Sequence, residues 1–471
     1  MKASAKIRKP KAGLLLIASP RFKELNAPKR GSYHERKLKA VEDIKASMDF
    51  LELVYPGIVY ERSDAQAAMD LFYNEKVDFI VAEFLSWSED FAWIRFLRDC
   101  PQIPMIFTNV AKDRMSFETS IDDDDFIDYL CSGTLVGSLE ASGSVKRVPR
   151  ANVKIVMGSR AEITEEIRAY SRAALARNVL RNANLGLMAN MNEAMWSTYI
   201  DNYDIFTKIG PEVHYLPYSD YKEFIDKLSD AEVKEYADEL SSKYAMEADV
   251  EYDKFIGCVK ASLALKNMAR DNDIDRATFK VAGCRAGFYH NWFNENMSIL
   301  VPEADMGAGI ATFALKLISG KHVNFIEPFH IEDDFGTFDG GHAGPNDHND
   351  PQWQENVVIA RDVRFAKTSW KYAGAPFAWY RFSPGLKTMT GLYEEDGRYK
   401  MIATLVESLP GKQFLATYSH SEFRPLVPVK KLFGELLKVG VTQHYAIADG
   451  DWTRELENFA EMMGFEFHNI K

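Results

Sequence analysis

Four residues in this chain have the types and setting for divalent-metal chemistry: Glu303, Glu327, His342 and His444. The segments "SILVPE" and "VNFIEP" end on apolar runs and deliver Glu303 and Glu327, and "DGGHAG" sets His342 among glycines. Glycines there let backbone come close to a bound group. A charge beside a buried segment costs free energy unless something compensates it. Two carboxylates held close repel, and one stays protonated unless a cation lies between them. A metal ion would meet both demands. The fourth residue, His444 in "GVTQHYAIADGD", starts a strand pattern of small residues. Two carboxylates and two imidazoles suit Mn2+, Co2+ or Zn2+ with positions open for a ligand. No thiolate joins the set, which argues against a structural zinc site. Each residue also has a plain structural reading. Glu303 could favour a helix dipole from its first turn, Glu327 could pair with a lysine, His342 could sit in a turn, and His444 could be a satisfied strand histidine. For the neighbouring His330, Glu332, Asp333 and His348, exposure in loops is the simpler account.

The surrounding pattern says what must position these groups. "DMGAGIATFALKLISG" reads as a helix with Gly320 at its C-terminal cap. It joins the segments that carry Glu303 and Glu327, as the crossover between two parallel strands would. Neighbouring strands would place the two acids about 4.8 Å apart, strand axis to strand axis. Pro328 is expected to end the second strand at once. Sites in doubly wound sheets form at the carboxyl ends of strands, which is where this arrangement puts both acids.

Further out, "AGLLLIAS" near the N-terminus reads as a strand buried on both faces. A helical pattern spans 35–54, and strands and helices then alternate through "DAQAAMDLFYNEK", "VDFIVAEF", "SEDFAWIRFLRDC" and "IPMIFTN". That alternation predicts βαβ units and a parallel sheet. A second α/β cycle begins at "NLGLMAN". Beyond 345 short β-like runs such as "NVVIARDVRFA", "YKMIATLVESLPG" and "KQFLATYSH" dominate, the texture of an antiparallel sheet or barrel. The fold class expected is α/β, with Rossmann-like N-terminal and central domains followed by a C-terminal antiparallel β-barrel-like domain.

The chain has 471 residues, enough for two or three domains. Its net charge of −12 argues against a nucleic-acid partner. No segment reaches the roughly 18 uninterrupted apolar residues of a membrane span. The basic start "MKASAKIRKPKAG" lacks the apolar stretch of a signal peptide. Four cysteines without a CxxC pair fit a reducing compartment, so a cytoplasmic location is expected.

The stretch "EADMGAGIATFALKLISGKHVNFIEPFHIEDDFGTFDGGHAG" resembles the arabinose/fucose isomerase superfamily. It shares the acid before a Gly-rich helix start, the second acid on the next strand and the Gly-flanked histidine. "QHYAIADGDWTRELENFAEMMGFE" is similar to that family's late histidine-bearing strand and following helix. "MANMNEAMWSTYIDNYDIFTKIGPEVHYLP" and "SFETSIDDDDFIDYLCSGTLVGS" look like its arabinose isomerase branch. The resemblance implies three domains, 1–180, 181–340 and 341–471, with the catalytic carboxylates in the central domain and metal-ligand histidines in the last. It implies Mn2+, or another divalent metal such as Co2+, held by Glu303, Glu327, His342 and His444, with Glu303 and Glu327 as the acid/base pair. It also implies a monosaccharide substrate and a trimer or hexamer whose active site is shared between subunits.

Two loops depart from the family's arabinose branch. "IASPRF" offers Ser19 and Arg21 where that branch has a sugar contact of the Gly-Ser-Gln type, and "DYLCSGTLVGS" offers Cys131, Ser132 and Thr134 where it has Gln and His contacts. L-arabinose as substrate is therefore in question. Arg21, or Arg285 in "GCRAGFYHNWF", would suit an anionic group on the sugar. Phe288, Tyr289, Trp292 and Phe293 could form an apolar stacking wall. Asn190, Met191 and Glu193 match a family loop that lines the site. The function expected is a metal-dependent aldose–ketose isomerase working by enediolate proton transfer. The rivals are an epimerase using the same metal site, on an anionic sugar for instance, and a non-catalytic sugar-binding protein.

Overall fold

The computed structural model describes residues 8–27, 31–100, 102–111, 122–148, 150, 152–188, 191, 194–272, 274, 276–279, 300–342, 357–363, 367–369, 373–411 and 419–471. It forms two compact units, 8–178 and 179–471. The α/β and barrel architecture read from the sequence is present.

In the first unit, strands β1 (Lys11–Ile17), β2 (Glu52–Val54), β3 (Phe79–Phe84), β4 (Met105–Val110) and β5 (Val153–Gly158) form a parallel sheet in the order β2-β1-β3-β4-β5. The apolar runs of β1 and β3 are buried throughout, apart from the first residue of β1, as strands covered on both faces must be. The helical pattern expected over 35–54 stops early. The helix spans Tyr33–Ala46, and Glu52–Val54 pairs with Lys11–Gly13 instead. An open strand edge outweighs a weak local propensity.

The second unit opens with β6 (Asn184–Met188), β7 (Glu212–Leu216), β8 (Arg276–Phe279) and β9 (Leu300–Val301), a parallel sheet in the order β7-β6-β8-β9. Helix α1 (Met306–Ser319) follows β9, and Gly320 caps it in the left-handed conformation at φ 63°. Every residue of α1 from Met306 to Ile318 is buried.

The chain then enters a closed barrel. Strands β10 (Val323–Glu332), β11 (Thr337–His342), β12 (Gly385–Glu395), β13 (Arg398–Ser408), β14 (Ser419–Pro425) and β15 (Tyr445–Asp449) pair antiparallel in the ring β12-β15-β10-β11-β14-β13, and β13 pairs back with β12. A last strand, β16 (Glu466–Ile470), adds to β13 in parallel.

Two expectations fall here, and a third, the antiparallel sheet or barrel read beyond 345, is met at one segment only as an antiparallel strand outside the barrel. The segments carrying Glu303 and Glu327 are not neighbouring parallel strands. β9 belongs to the second parallel sheet and β10 to the barrel, so α1 connects two different sheets. Pro328 does not end its strand. β10 runs on to Glu332, with a bulge between Pro328 and His330 where the missing proline N–H is absorbed. "NVVIARDVRFA" does not join the barrel. Val357–Arg361 pairs with Pro376–Tyr380 and Ala245–Met246 in a separate three-stranded sheet. No helix among the described residues is long and apolar enough to cross a membrane.

Candidate functional site

The site is built where α1 begins and the barrel strands β10, β11 and β15 meet it. Pro302–Ala304 forms a single tight turn after β9. Glu303 and Ala304 both adopt left-handed backbone, at φ 69° and φ 59°. Non-glycine residues there cost about 1–3 kcal/mol each and persist only where the surroundings impose them. The turn aims the Glu303 carboxylate at the barrel.

Asp305 is next, as the N-cap of α1. One carboxylate oxygen, Oδ1, accepts from the Ala308 N–H at 2.8 Å, which is the ordinary capping bond. The other, Oδ2, lies 2.7 Å from His444 Nδ1. An ionised carboxylate only accepts, so Nδ1 carries a proton, which leaves Nε2 as the nitrogen that would bind a metal.

Gly307 explains how the helix sits so close. A Cβ there would lie 2.3 Å from the Leu392 carbonyl oxygen of β12. No side chain fits in that gap.

The barrel supplies the other groups. Glu327 lies on β10. His342 ends β11, whose register with β10 stops at Gly341 while its register with β14 continues to Ser419. His444 immediately precedes β15, and its carbonyl accepts from the Tyr393 hydroxyl at 3.1 Å. Phe325, two residues before Glu327 on the same face, packs on both imidazoles with ring centroids 4.7 and 4.6 Å away.

The structure thus brings the four sequence-expected residues together. One ligand atom from each of Glu303, Glu327, His342 and His444 lies within 4.8 Å of the others. His444 Nε2 stands 3.2 Å from Glu303 Oε2 and 3.2 Å from Glu327 Oε1. His342 Nε2 stands 3.9 Å from Glu303 Oε1 and 3.7 Å from Glu327 Oε2. Metal bonds of about 2.0–2.2 Å place ligand atoms about 3–4.4 Å apart around an ion, depending on the angle between them. These spacings fit that shell. His444 Nε2 is also buried and, among the described residues, makes no hydrogen bond of good geometry. Burial pulls the His444 pKa down, but the Asp305, Glu303 and Glu327 carboxylates outweigh it and push it up to about 11. The same carboxylates that favour an imidazolium favour a bound cation. The chemistry of the donors and their spacing fit a divalent metal.

Exposure separates roles within the cluster. Glu303 and Glu327 keep 26% and 16% of their side chains accessible, whereas His444, Asp305 and His342 keep 5% or less. The acids therefore face the outside and the imidazoles the interior.

The other sequence candidates are placed as follows. Ser19 and Arg21 belong to the first unit and are engaged with each other there. Ser19 Oγ accepts from the Arg21 N–H and donates to Glu89 at 3.0 Å. The Arg21 guanidinium pairs with Glu89 at 2.8 Å and stacks over Trp87. Its charge is already compensated. Met191 lies in the chain that follows β6. Further along that stretch, Met195 Sδ meets Gln443 Nε2 at 3.4 Å, one residue from His444. Arg285, Asn190, Glu193 and the aromatic group at 288–293 lie outside the described residues. His330 is a mostly exposed strand residue. Asp305 and Phe325 were missed as site residues. The signal for Asp305 was present in "EADMGAG", an acid at an N-cap position two residues after Glu303.

No family model matches this chain, and no curated protein matches it. Among solved structures, an ABC sugar transporter's periplasmic sugar-binding protein from Legionella pneumophila is 11% identical over 66% of this chain and 96% of that one, with a TM-score of 0.17. A likeness that slight carries no argument.

Proposed function

We propose that this protein is a divalent-metal-dependent aldose–ketose isomerase acting on a monosaccharide, with Mn2+ as the preferred ion. The observation that carries the reading is the convergence of two partly exposed carboxylates and two buried imidazoles on one point, with Asp305 fixing the tautomer of His444.

Aldose–ketose exchange moves one proton between C1 and C2 and another between O1 and O2. The carbon-bound proton is the hard one, because its removal leaves charge on oxygen. A divalent ion held by Glu303, Glu327, His342 and His444 would supply Lewis-acid stabilisation of that charge. The chain's own residues do the rest. Glu303 and Glu327 are the acid/base pair, one taking the proton from C2 and the pair returning it to C1. The left-handed turn at Glu303–Ala304 sets the backbone from which the first carboxylate reaches the cluster. Phe325 and the barrel wall keep water from the imidazole side.

The test is turnover of a panel of neutral and acidic monosaccharides with Mn2+ in D2O. The reading expects aldose–ketose conversion, with deuterium at C2 of the aldose formed. Deuterium at C2 without an aldose–ketose change would mark an epimerase instead. No Mn2+-dependent turnover on any sugar would sink the enzyme reading.

A further inference from the structure

The helix Asp90–Asp99 buries Ala92, Trp93, Phe96 and Leu97. Its outer face carries Phe91, Ile94, Arg95 and Arg98, at the three- and four-residue spacing of one helical stripe. With Arg62, the first residue of the helix Arg62–Asn74, these side chains line a cavity of about 280 Å³ in the first unit.

Charge in this cavity is unbalanced. The Asp99 carboxylate accepts from Arg98 Nε at 2.6 Å and Nη2 at 2.8 Å, and stands 3.6 Å from Arg95 Nε. Arg95 Nη2 donates to Gln66 Oε1 at 2.5 Å. That amide is neutral, so it orients the guanidinium without cancelling its charge. The Arg62 guanidinium lies over the Phe91 ring, 4.7 Å from the centroid, and pairs with no carboxylate among the described residues. Glu61 and Asp64, on either side of Arg62, are engaged with backbone N–H groups at the start of that helix. Three guanidiniums against one carboxylate leave a surplus of two positive charges, in a chain whose net charge is −12. A local field of that sign draws anions to an otherwise acidic molecule.

The surplus matches a phosphate monoester, which carries roughly −1.5 to −2 charges at pH 7 and three acceptor oxygens. Guanidiniums hold such oxygens through paired N–H donors. A monocarboxylate would leave one positive charge over. Phe91 and Ile94 border the same cavity and remain 62% and 39% exposed, which suits an apolar body behind the phosphate.

We propose that Arg62, Arg95 and Arg98, with Phe91 and Ile94, form a binding site for a small organic phosphate. The site lies in the first unit, whereas Glu303, Glu327, His342 and His444 all belong to the second. It is independent of the isomerase reading and of the metal.

The experiment titrates phenyl phosphate, inorganic phosphate and phthalate into the full-length protein by calorimetry, with and without Mn2+. Phenyl phosphate should bind with a Kd below about 1 mM. It should bind more tightly than inorganic phosphate, which lacks the ring, and than phthalate, whose charges sit on separate carboxylates. Its Kd should not change with Mn2+. Arg62→Gln and Arg95→Gln should each raise that Kd about tenfold or more, the loss of a charge-assisted hydrogen bond. Arg62 is exposed at a helix end, so Arg62→Gln should unfold at the parent temperature. Arg62→Lys keeps the charge without the fork and should recover part of the binding. Arg424→Gln removes an exposed charge on β14 and should leave the Kd as it is. Ile94→Ala should narrow the gap between phenyl and inorganic phosphate. No saturable binding of phenyl phosphate, affinity that requires Mn2+, equal affinity for inorganic and phenyl phosphate, or tighter binding of phthalate would each overturn the proposal. So would an unchanged Kd in both Arg62→Gln and Arg95→Gln, or an equal loss in Arg424→Gln.

Discussion

Asp305 joins helix α1 to the barrel through His444: one carboxylate oxygen caps the helix at the Ala308 N–H, and the other meets His444 Nδ1 at 2.7 Å. Its charge lies against the imidazole nitrogen that points away from the cluster, so it acts on the cluster through His444. Carboxylate partners of ligating histidines fix the ring tautomer and raise its basicity. The cap and the imidazole contact are therefore one device, and helix position and ligand orientation are set together.

Asp305→Asn and Asp305→Ala separate the two roles. Asparagine is as good an N-cap as aspartate, so Asp305→Asn should unfold near the parent temperature. Its Mn2+ affinity should fall about 10–100-fold, the usual loss when a histidine's carboxylate partner is removed. Asp305→Ala should lose that affinity and about 0.5–2 kcal/mol of stability besides. Mn2+ titration and thermal unfolding check both. Parent-like Mn2+ binding by Asp305→Asn would remove this account of the residue.

Mn2+ should stabilise the protein against heat. A ligand bound only by the folded state adds about 2.7 kcal/mol at a hundredfold excess over its Kd. The unfolding temperature of the parent should rise with added Mn2+ and fall back with EDTA. Glu327→Ala and His444→Ala should show no such shift. An equal shift in these variants would mean that the ion binds elsewhere.

How far the sequence disclosed this site can be followed residue by residue. Glu303, Glu327, His342 and His444 were legible because charged or titratable groups stood at the edges of apolar runs or among glycines. What surrounds them was less so. The helical and apolar periods around α1 predict a crossover between parallel strands, and they carry no sign that its next strand enters a different sheet. β10 pairs with 337–341 in a hairpin and with 445–448 far along the chain, and periodicity does not encode so distant a partner as the second. Pro328 was read as a stop because a bulge that absorbs a proline has no local signature. The left-handed turn at Glu303–Ala304 was invisible for the opposite reason. Neither residue favours that backbone, and tertiary packing imposes it.

Glu303→Gln and Glu327→Gln should each lower kcat by about 10²–10⁴-fold, the range for removing a general acid or base. The double variant should lose little more than the worse single one, because groups that act as a unit are not additive. Steady-state kinetics at saturating Mn2+ checks this. Loss that multiplies across the two variants would assign the acids to independent roles.

Helix α1 offers the sharpest test of the architecture. Gly307 has no room for a Cβ, since the Leu392 carbonyl oxygen would stand 2.3 Å away. Backbone cannot yield as a flexible side chain does, so α1 must shift to admit a methyl group. Gly307→Ala should therefore lose about 1–3 kcal/mol, the usual cost of overpacking a tight core. It should also weaken Mn2+ binding, because Asp305 and Glu303 move with the start of the helix. Gly257 is the control. It lies within the helix Tyr252–Asp271, is exposed, and has nothing within 4 Å of an added Cβ. Gly257→Ala should gain about 0.5–1 kcal/mol from helix propensity and leave Mn2+ binding alone. Calorimetric unfolding of the two variants should give opposite signs. If Gly307→Ala proves as stable as the parent and binds Mn2+ as well, the close contact between α1 and β12 does not hold the site in place.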